Sequence, residues 1–307
     1  MCCFSRPVES VTQTSIFGRL KDHATQFLVY QMHFKSREPN AMILPIPTAE
    51  NPSEESVRFI NLEAYPWFFV DLARGFPRLN PPPTMSRGVD SGSKSKLQVQ
   101  KVGAFIASVV PRAEDFRRLD SQFSIAPETW AKLPVYSDYS FVVFQLQELE
   151  GKPHPMAFEF QTRYSERVFF PTVHIHDGEV HDAEDFDHQL YLQQPTWDKL
   201  VGDYTHEPDA ATQWVRSKGV AEKTVKIEKT EGIVVADQLV HRRTIQGQHR
   251  NEDVVANVSL QDRSDKSSFG SFGGVSATWL STILGAGALA WIFNRRHELR
   301  SIPRSAK

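Results

Sequence analysis

Between residues 26 and 176 the chain alternates short apolar runs with turn-forming clusters. Residues 26–34, 41–46, 102–110, 141–146, 157–161 and 168–176 are rich in aromatic and β-branched side chains, which predicts strands. Pro45 and Pro47 lack the amide donor that a sheet interior requires, so the 41–46 strand is expected at a sheet edge or leaving one. Two short helices are expected at 66–75 and 113–119, the second with Arg117 and Arg118 on its polar side. Residues 80–96 contain Pro81, Pro82 and Pro83 and then a Ser/Gly/Lys run, the composition of an exposed loop. No repeat occurs at solenoid period.

Past Asp209 hydrophobicity falls and charges alternate, with strand-like pieces at 224–227 and 232–235 and a Ser/Gly-rich tether at 264–274. The expected fold is α+β and β-rich: antiparallel strands with a few short helices, plus one C-terminal transmembrane helix. The expected division is a globular domain at 1–205, a polar, partly strand-forming or disordered juxtamembrane region at 206–273, the membrane helix at 274–293 and a basic tail at 294–307.

The last of these carries the strongest signal. Residues 274–293 form a 20-residue run without one ionisable side chain, and as a helix it would span about 30 Å, the thickness of a bilayer's hydrocarbon core. Trp279 and Trp291 lie toward its two ends, and Arg295, Arg296, Arg300, Arg304 and Lys307 follow it, the layout of a membrane span with interfacial anchors. Ala277, Ser281 and Gly285 recur every fourth residue, a small-residue stripe along which two such helices could approach. The basic tail favours a cytoplasmic C-terminus. The first residues contain no apolar signal-peptide core, which favours a tail anchor holding a cytoplasmic body. The side on which the body sits stays open.

Composition narrows the remaining chemistry. With 35 Lys and Arg against 37 Asp and Glu, the formal charge is −2, which gives no overall basic field for nucleic acid. The two cysteines are adjacent, Cys2 and Cys3, which excludes a disulfide-stapled scaffold and a multi-cysteine zinc module. No phosphate-cradling glycine loop, dinucleotide fingerprint or nucleophile elbow occurs. Arg242 and Arg243 with His241, His249 and Arg250 make a short basic patch of the kind a solvated strand or a juxtamembrane surface carries.

Two constellations remain as candidates. Asp177-Gly178 between alternating residues predicts a two-residue hairpin, placing His176 opposite Glu179 and His174 opposite His181 with Ile175 and Val180 on the other face. Cβ atoms directly opposed lie about 5 Å apart, so His174, His176, His181 and Glu179 could hold zinc or another divalent metal. The same alternation equally describes a wet face over a packed one, and a pH-responsive patch is the third reading of these histidines. No other cofactor is expected. At the N-terminus, removal of Met1 would leave Cys2 with a nucleophilic thiol and its own α-amine as base. With Arg19 and Asp22 following at a charged turn, this layout resembles the N-terminal-nucleophile hydrolases of the choloylglycine type. That resemblance implies an amidohydrolase in which Arg19 and Asp22 orient nucleophile and substrate. The same cysteines could equally be plain reduced thiols.

The stretch Ala-Met-Ile-Leu-Pro-Ile-Pro at 41–47, after the strand at 26–34 and together with the hydrophobic tail, resembles an uncharacterised bacterial domain with an Ile-Leu-Pro-Val-Pro-type motif. The resemblance implies a β-rich, envelope-associated protein without assigned activity. The expectation is a non-enzymatic membrane-anchored binding or structural protein, its partner being membrane lipid through 274–293. The N-terminal-cysteine amidohydrolase and the histidine metal protein are the alternatives.

Overall fold

The computed structural model describes residues 3–77, 100–103 and 105–259. The expected loop at 80–96, the tether, the membrane helix at 274–293, the stripe of Ala277, Ser281 and Gly285, and Cys2 lie outside the described residues. Among the described residues no helix is long and apolar enough to cross a membrane.

In chain order the described strands are β1 (Cys3–Phe4), β2 (Val8–Asp22), β3 (Thr25–Ser36), β4 (Asn40–Ile46), β5 (Val57–Asn61), β6 (Gln100–Val102), β7 (Phe105–Val110) and β8 (Ser140–Leu146). They continue as β9 (Glu150–Gly151), β10 (Met156–Gln161), β11 (Arg167–Phe170), β12 (Ala183–Leu192), β13 (Val215–Arg216), β14 (His241–Arg250) and β15 (Val254–Asn257). Two short α-helices, α1 (Phe68–Arg74) and α2 (Pro127–Ala131), and several 3₁₀ turns lie between them. A five-stranded sheet runs β1-β4-β8-β7-β6, and a larger one runs β13-β14-β12-β2-β3-β10-β5 with β9 beside β3. Pairing is antiparallel except between β12 and β2, which run parallel, so the larger sheet is mixed. β11 and β15 form a separate two-stranded ribbon.

The apolar runs are nearly unbroken because the interior strands are covered on both faces. Side chains alternate across a strand. On β3, Leu28, Tyr30, Met32 and Phe34 enter a central core, while Phe27 and Val29 enter a second one. On β4, Met42, Leu44 and Ile46 enter the central core, while Ala41 and Ile43 enter a third. The central core thus draws on both sheets. The second core packs Phe68, Phe69 and Leu72 of α1 with Val225, Ile233 and Val234. The third packs Phe116, Trp130 and Tyr136 against the other face of β4 and β8. Each large apolar side chain buried in this way contributes roughly 1.5–3 kcal/mol.

Several expected elements take another form. Residues 102–110 are not one strand: Gly103, at φ +59°, turns the chain between β6 and β7. The expected helix at 113–119 is a 3₁₀ turn, Ala113–Arg118, that buries Phe116 alone; one anchored side chain does not build an amphipathic face. The expected strands at 224–227 and 232–235 are turns, from which Val225, Ile233 and Val234 plug into the second core one by one. Their backbone is held by side chains instead of a ladder. Arg19 donates to the carbonyls of Ile233 (2.7 Å) and Gly232 (2.8 Å), and the amide of Gln193 exchanges two hydrogen bonds with Val235 (2.8 and 2.9 Å).

Residues 206–259 continue the same body past the boundary expected at 205. β14 pairs with β12 over its whole length, Trp214 is 2% exposed in the central core, and the described residues form one unit.

At Gly18 of β2 the side chains of β11 press against the backbone. A Cβ there would lie 2.6 Å from Val168 Cγ1 and 3.1 Å from the Phe170 ring. Gly18→Ala is therefore expected to destabilise the fold by about 1–3 kcal/mol through overpacking, read as a lower urea midpoint with an unchanged slope. A neutral or stabilising result would mean that β11 is loosely seated.

Candidate functional site

Segment 171–182, which carries the histidines, does not form the expected hairpin. Its backbone groups are bound elsewhere. The amides of Thr172 and Val173 donate to Asp253 Oδ1 at 2.7 and 3.1 Å. His174 N–H donates to Asn251 Oδ1 at 2.5 Å, and Asn251 Nδ2 returns bonds to the carbonyls of His174 and His181. The carbonyls of Ile175 and His176 accept from Phe4 N and Val8 N. With these groups engaged, no ladder pairs 174 with 181, and Ala183 opens β12 as a partner of β14 instead.

The four expected ligands therefore separate. His174 and His176 point inward and stack, ring centroids 4.7 Å apart and planes 24° from parallel. His174 also stacks on His188 at 5.2 Å and on Phe186 at 4.3 Å, and Phe4 lies 5.9 Å from His176. Glu179 turns outward to an ion pair with Lys132. His181 is exposed and pairs with Asp177 at 3.0 Å, which raises its pKa. A metal requires ring nitrogens that converge on one point, and these rings face each other. Among the described residues no group of three or more His, Cys, Asp or Glu is arranged to hold a metal ion.

His188 joins this stack although the hairpin pattern omitted it. The signal was in β12: Phe186, His188, Leu190 and Leu192 occupy alternate positions, and Phe186, Leu190 and Leu192 belong to the central core. Burial holds the three imidazoles neutral. It lowers the pKa of His176 to about 4 and that of His174 to about 2, and moves that of His188 well down. Both ring nitrogens of His174 and Nε2 of His176 are buried without a hydrogen-bond partner among the described residues.

Arg19 and Asp22, expected beside a nucleophile, are each engaged elsewhere. Arg19 braces the 232–233 turn and lies over the Phe27 ring, 4.9 Å from its centroid; burial lowers its pKa. Asp22 caps the β2–β3 turn by accepting from Ala24 N at 2.8 Å. Cys3 is 1% exposed on β1, in register with Ile43. It lines a crevice with Pro45, Pro171, Val173 and Asp253 that is too tight for a water molecule. Asp253, which also accepts from Tyr136 Oη at 2.6 Å, has its pKa raised to about 6 by burial, against the lowering effect of its hydrogen bonds. The buried His241 lies 3.5 Å from the half-buried Asp198, its ring edge-on to Trp197.

The histidine stack and Cys3 are thus inside, while Asp22, Glu179 and His181 are engaged in local pairs and caps at the surface, which offers something different. Trp67 (59% exposed) and Val70 (41%) stand three residues apart at the start of α1, the spacing that places two side chains on one helical face. An exposed tryptophan of this kind is the residue type most enriched at binding hot spots. Nothing in the order of apolar residues distinguished Trp67 from the buried Phe68 and Phe69 beside it.

No family model matches the chain, and no curated protein matches it. Among solved structures, the chain is similar to the crystal structure of baculovirus P35, with TM-score 0.45 and 15% identity over 84% of this chain and 99% of that one. It is also similar to P35 in the caspase-8/P35 complex, with TM-score 0.43 and 14% identity over 80% of this chain and 96% of that one. A mutated baculovirus P35 after caspase cleavage gives TM-score 0.39 and 15% identity over 82% of this chain and 100% of that one.

Proposed function

We propose that this protein is a non-enzymatic binding module held at a membrane by residues 274–293. The observation that carries the reading is the 20-residue run free of ionisable side chains, closed by Arg295 and Arg296. Two further features support it. The side chains expected to serve catalysis are committed to structure, Arg19 to the 232–233 turn and Asp22 to its own turn. The exposed Trp67 and Val70 offer an apolar contact on the surface of the body. Tethering raises the local concentration of such a contact at the bilayer, so that a weak interaction there becomes effectively intramolecular.

The test compares the full chain with a variant lacking 274–293, each expressed in cells and followed through alkaline carbonate extraction and vesicle flotation. The full chain is expected to stay with the membrane and the deletion variant to be released. Full-length protein that leaves the membrane fraction in carbonate overturns the reading. Protease added to sealed vesicles then gives the side: cleavage from outside places the body on the accessible face.

A further inference from the structure

We propose that the stacked rings of His174, His176 and His188 are an acid-sensitive latch: protonation releases segment 171–182 while both sheets stay folded. The geometry has three parts. The rings face each other at 4.7 and 5.2 Å, a spacing at which two imidazolium charges repel strongly in a buried site. His174 offers two ring nitrogens and His176 one with no hydrogen-bond partner among the described residues, so the N–H that protonation creates there finds no acceptor in the closed state. The segment has no ladder of its own: it hangs from Phe4 and Val8 at one side and from residues 251–254 at the other, with Thr129 and Lys132 holding its bend and Val173 and Ile175 seated in the third core. A segment held by side chains and single backbone bonds outside both sheets can open below the free energy of global unfolding.

The charged and titratable groups around the stack set the sign. His174 and His176 each oppose protonation of His188, His176 opposes that of His174, and Asp177 favours that of His176. From β12, Phe186 and His188 meet the stack, and from β1, Phe4. From β14, His249 touches the edge of Phe186 at 5.8 Å. Glu184 lies near Asp177 and His181, and Asp187 is taken up by the amide of Gln13.

Each of the three histidines has its pKa depressed in the closed state; His174 and His176 regain about 6.5 when the segment opens, and His188, which stays on β12, does so as the departing rings uncover it. The closed segment is therefore favoured fully above that value and loses support as pH falls through it. Asp253 works the other way. Its pKa is raised to about 6 in the closed state, so the closed form takes up a proton there that the open form does not. Three histidine protons against one aspartate proton leave opening coupled to the uptake of about two protons. Opening is then steepened by up to about 100-fold per pH unit between pH 6 and pH 4.

Hydrogen exchange on the full chain in detergent, followed by mass spectrometry from pH 7 to pH 4.5 and corrected for intrinsic rates, tests the latch. Peptides covering 171–182 are expected to lose protection by at least ~10-fold per pH unit below pH 6 while β3 and β8 stay protected. His174→Phe and His188→Phe keep the stack without its titration and should flatten the slope, whereas the exposed His181→Gln should leave it unchanged. A flat profile in the parent chain, an equal loss in β3 and β8, or an unchanged slope in a folded Phe variant overturns the proposal. Imidazole titration by NMR needs no variant: rings of His174 and His188 that ionise near pH 6.5 in the folded chain would sink it as well.

Discussion

Phe144→Ala is expected to lower stability by about 3–5 kcal/mol, the range for emptying a buried aromatic site. Phe144 belongs to β8 of the smaller sheet and is fully buried. Its ring lies 5.7 Å from Phe59 of β5, 5.7 Å from Phe105 of β7 and 6.1 Å from Phe158 of β10. Two of those three partners belong to the larger sheet, so one side chain joins the two layers. Truncation leaves a cavity walled by rings fixed on separate sheets, which cannot collapse without moving a strand. A urea titration should show a lower midpoint with an unchanged slope. Phe144→Leu, which keeps most of the volume, should cost well under half as much. A loss below about 1 kcal/mol for the alanine variant would mean that this junction is not where the sheets meet.

The second large effect comes from a polar residue. Gln26 of β3 is 0% exposed. Its Nε2 donates to the carbonyl of Phe169 at 2.7 Å, and its Oε1 accepts from the amide of the same residue at 2.9 Å. The side-chain amide does for β11 what a neighbouring strand would do. Gln26→Leu keeps the bulk and strips both bonds, leaving two peptide groups of a buried residue unpaired at about 1–3 kcal/mol each. The total loss is expected at about 2–5 kcal/mol, with faster amide exchange at Phe169 as the local signature. Retention of parental stability would mean that water or a shifted strand replaces the amide.

These two sites illustrate what could be read along the chain and what could not. β3, β4, β8 and β10 are legible because both of their faces are apolar, and a run such as Phe-Leu-Val-Tyr has no other reading in a body of this size. β14 is the opposite case. His-Arg-Arg-Thr-Ile-Gln-Gly-Gln-His-Arg places only Ile245 in the central core, and it is a strand because β12 lies beside it with ten residues in register. Pairing of that kind is a tertiary fact that no local pattern carries. β2 escaped for a related reason. Its first half is polar and its register with β3 shifts at three places, one of them beside Gln13 at φ +53°, which breaks the period of two on which strand recognition rests.

The candidate site divides the same way. That His174 and His176 share a face followed from alternation. That Glu179 and His181 would turn outward did not, because the competitor for the backbone of 172–174 was a pair of side chains, Asn251 and Asp253, nearly 80 residues away. A strong turn signal at Asp177-Gly178 sets the bend, but it cannot guarantee that the two arms pair with each other.

Gln26, Gln193, Asn40 and Asn251 each bind main-chain atoms of a segment distant in sequence. Such bonds are indifferent to the side chain of the residue they hold. A saturation scan of this protein should therefore tolerate many replacements at Val235, the partner of Gln193, and almost none at Gln193 itself. The asymmetry would leave each amide as a fixed point with a drifting counterpart, a pair whose coupling covariation between positions would never detect.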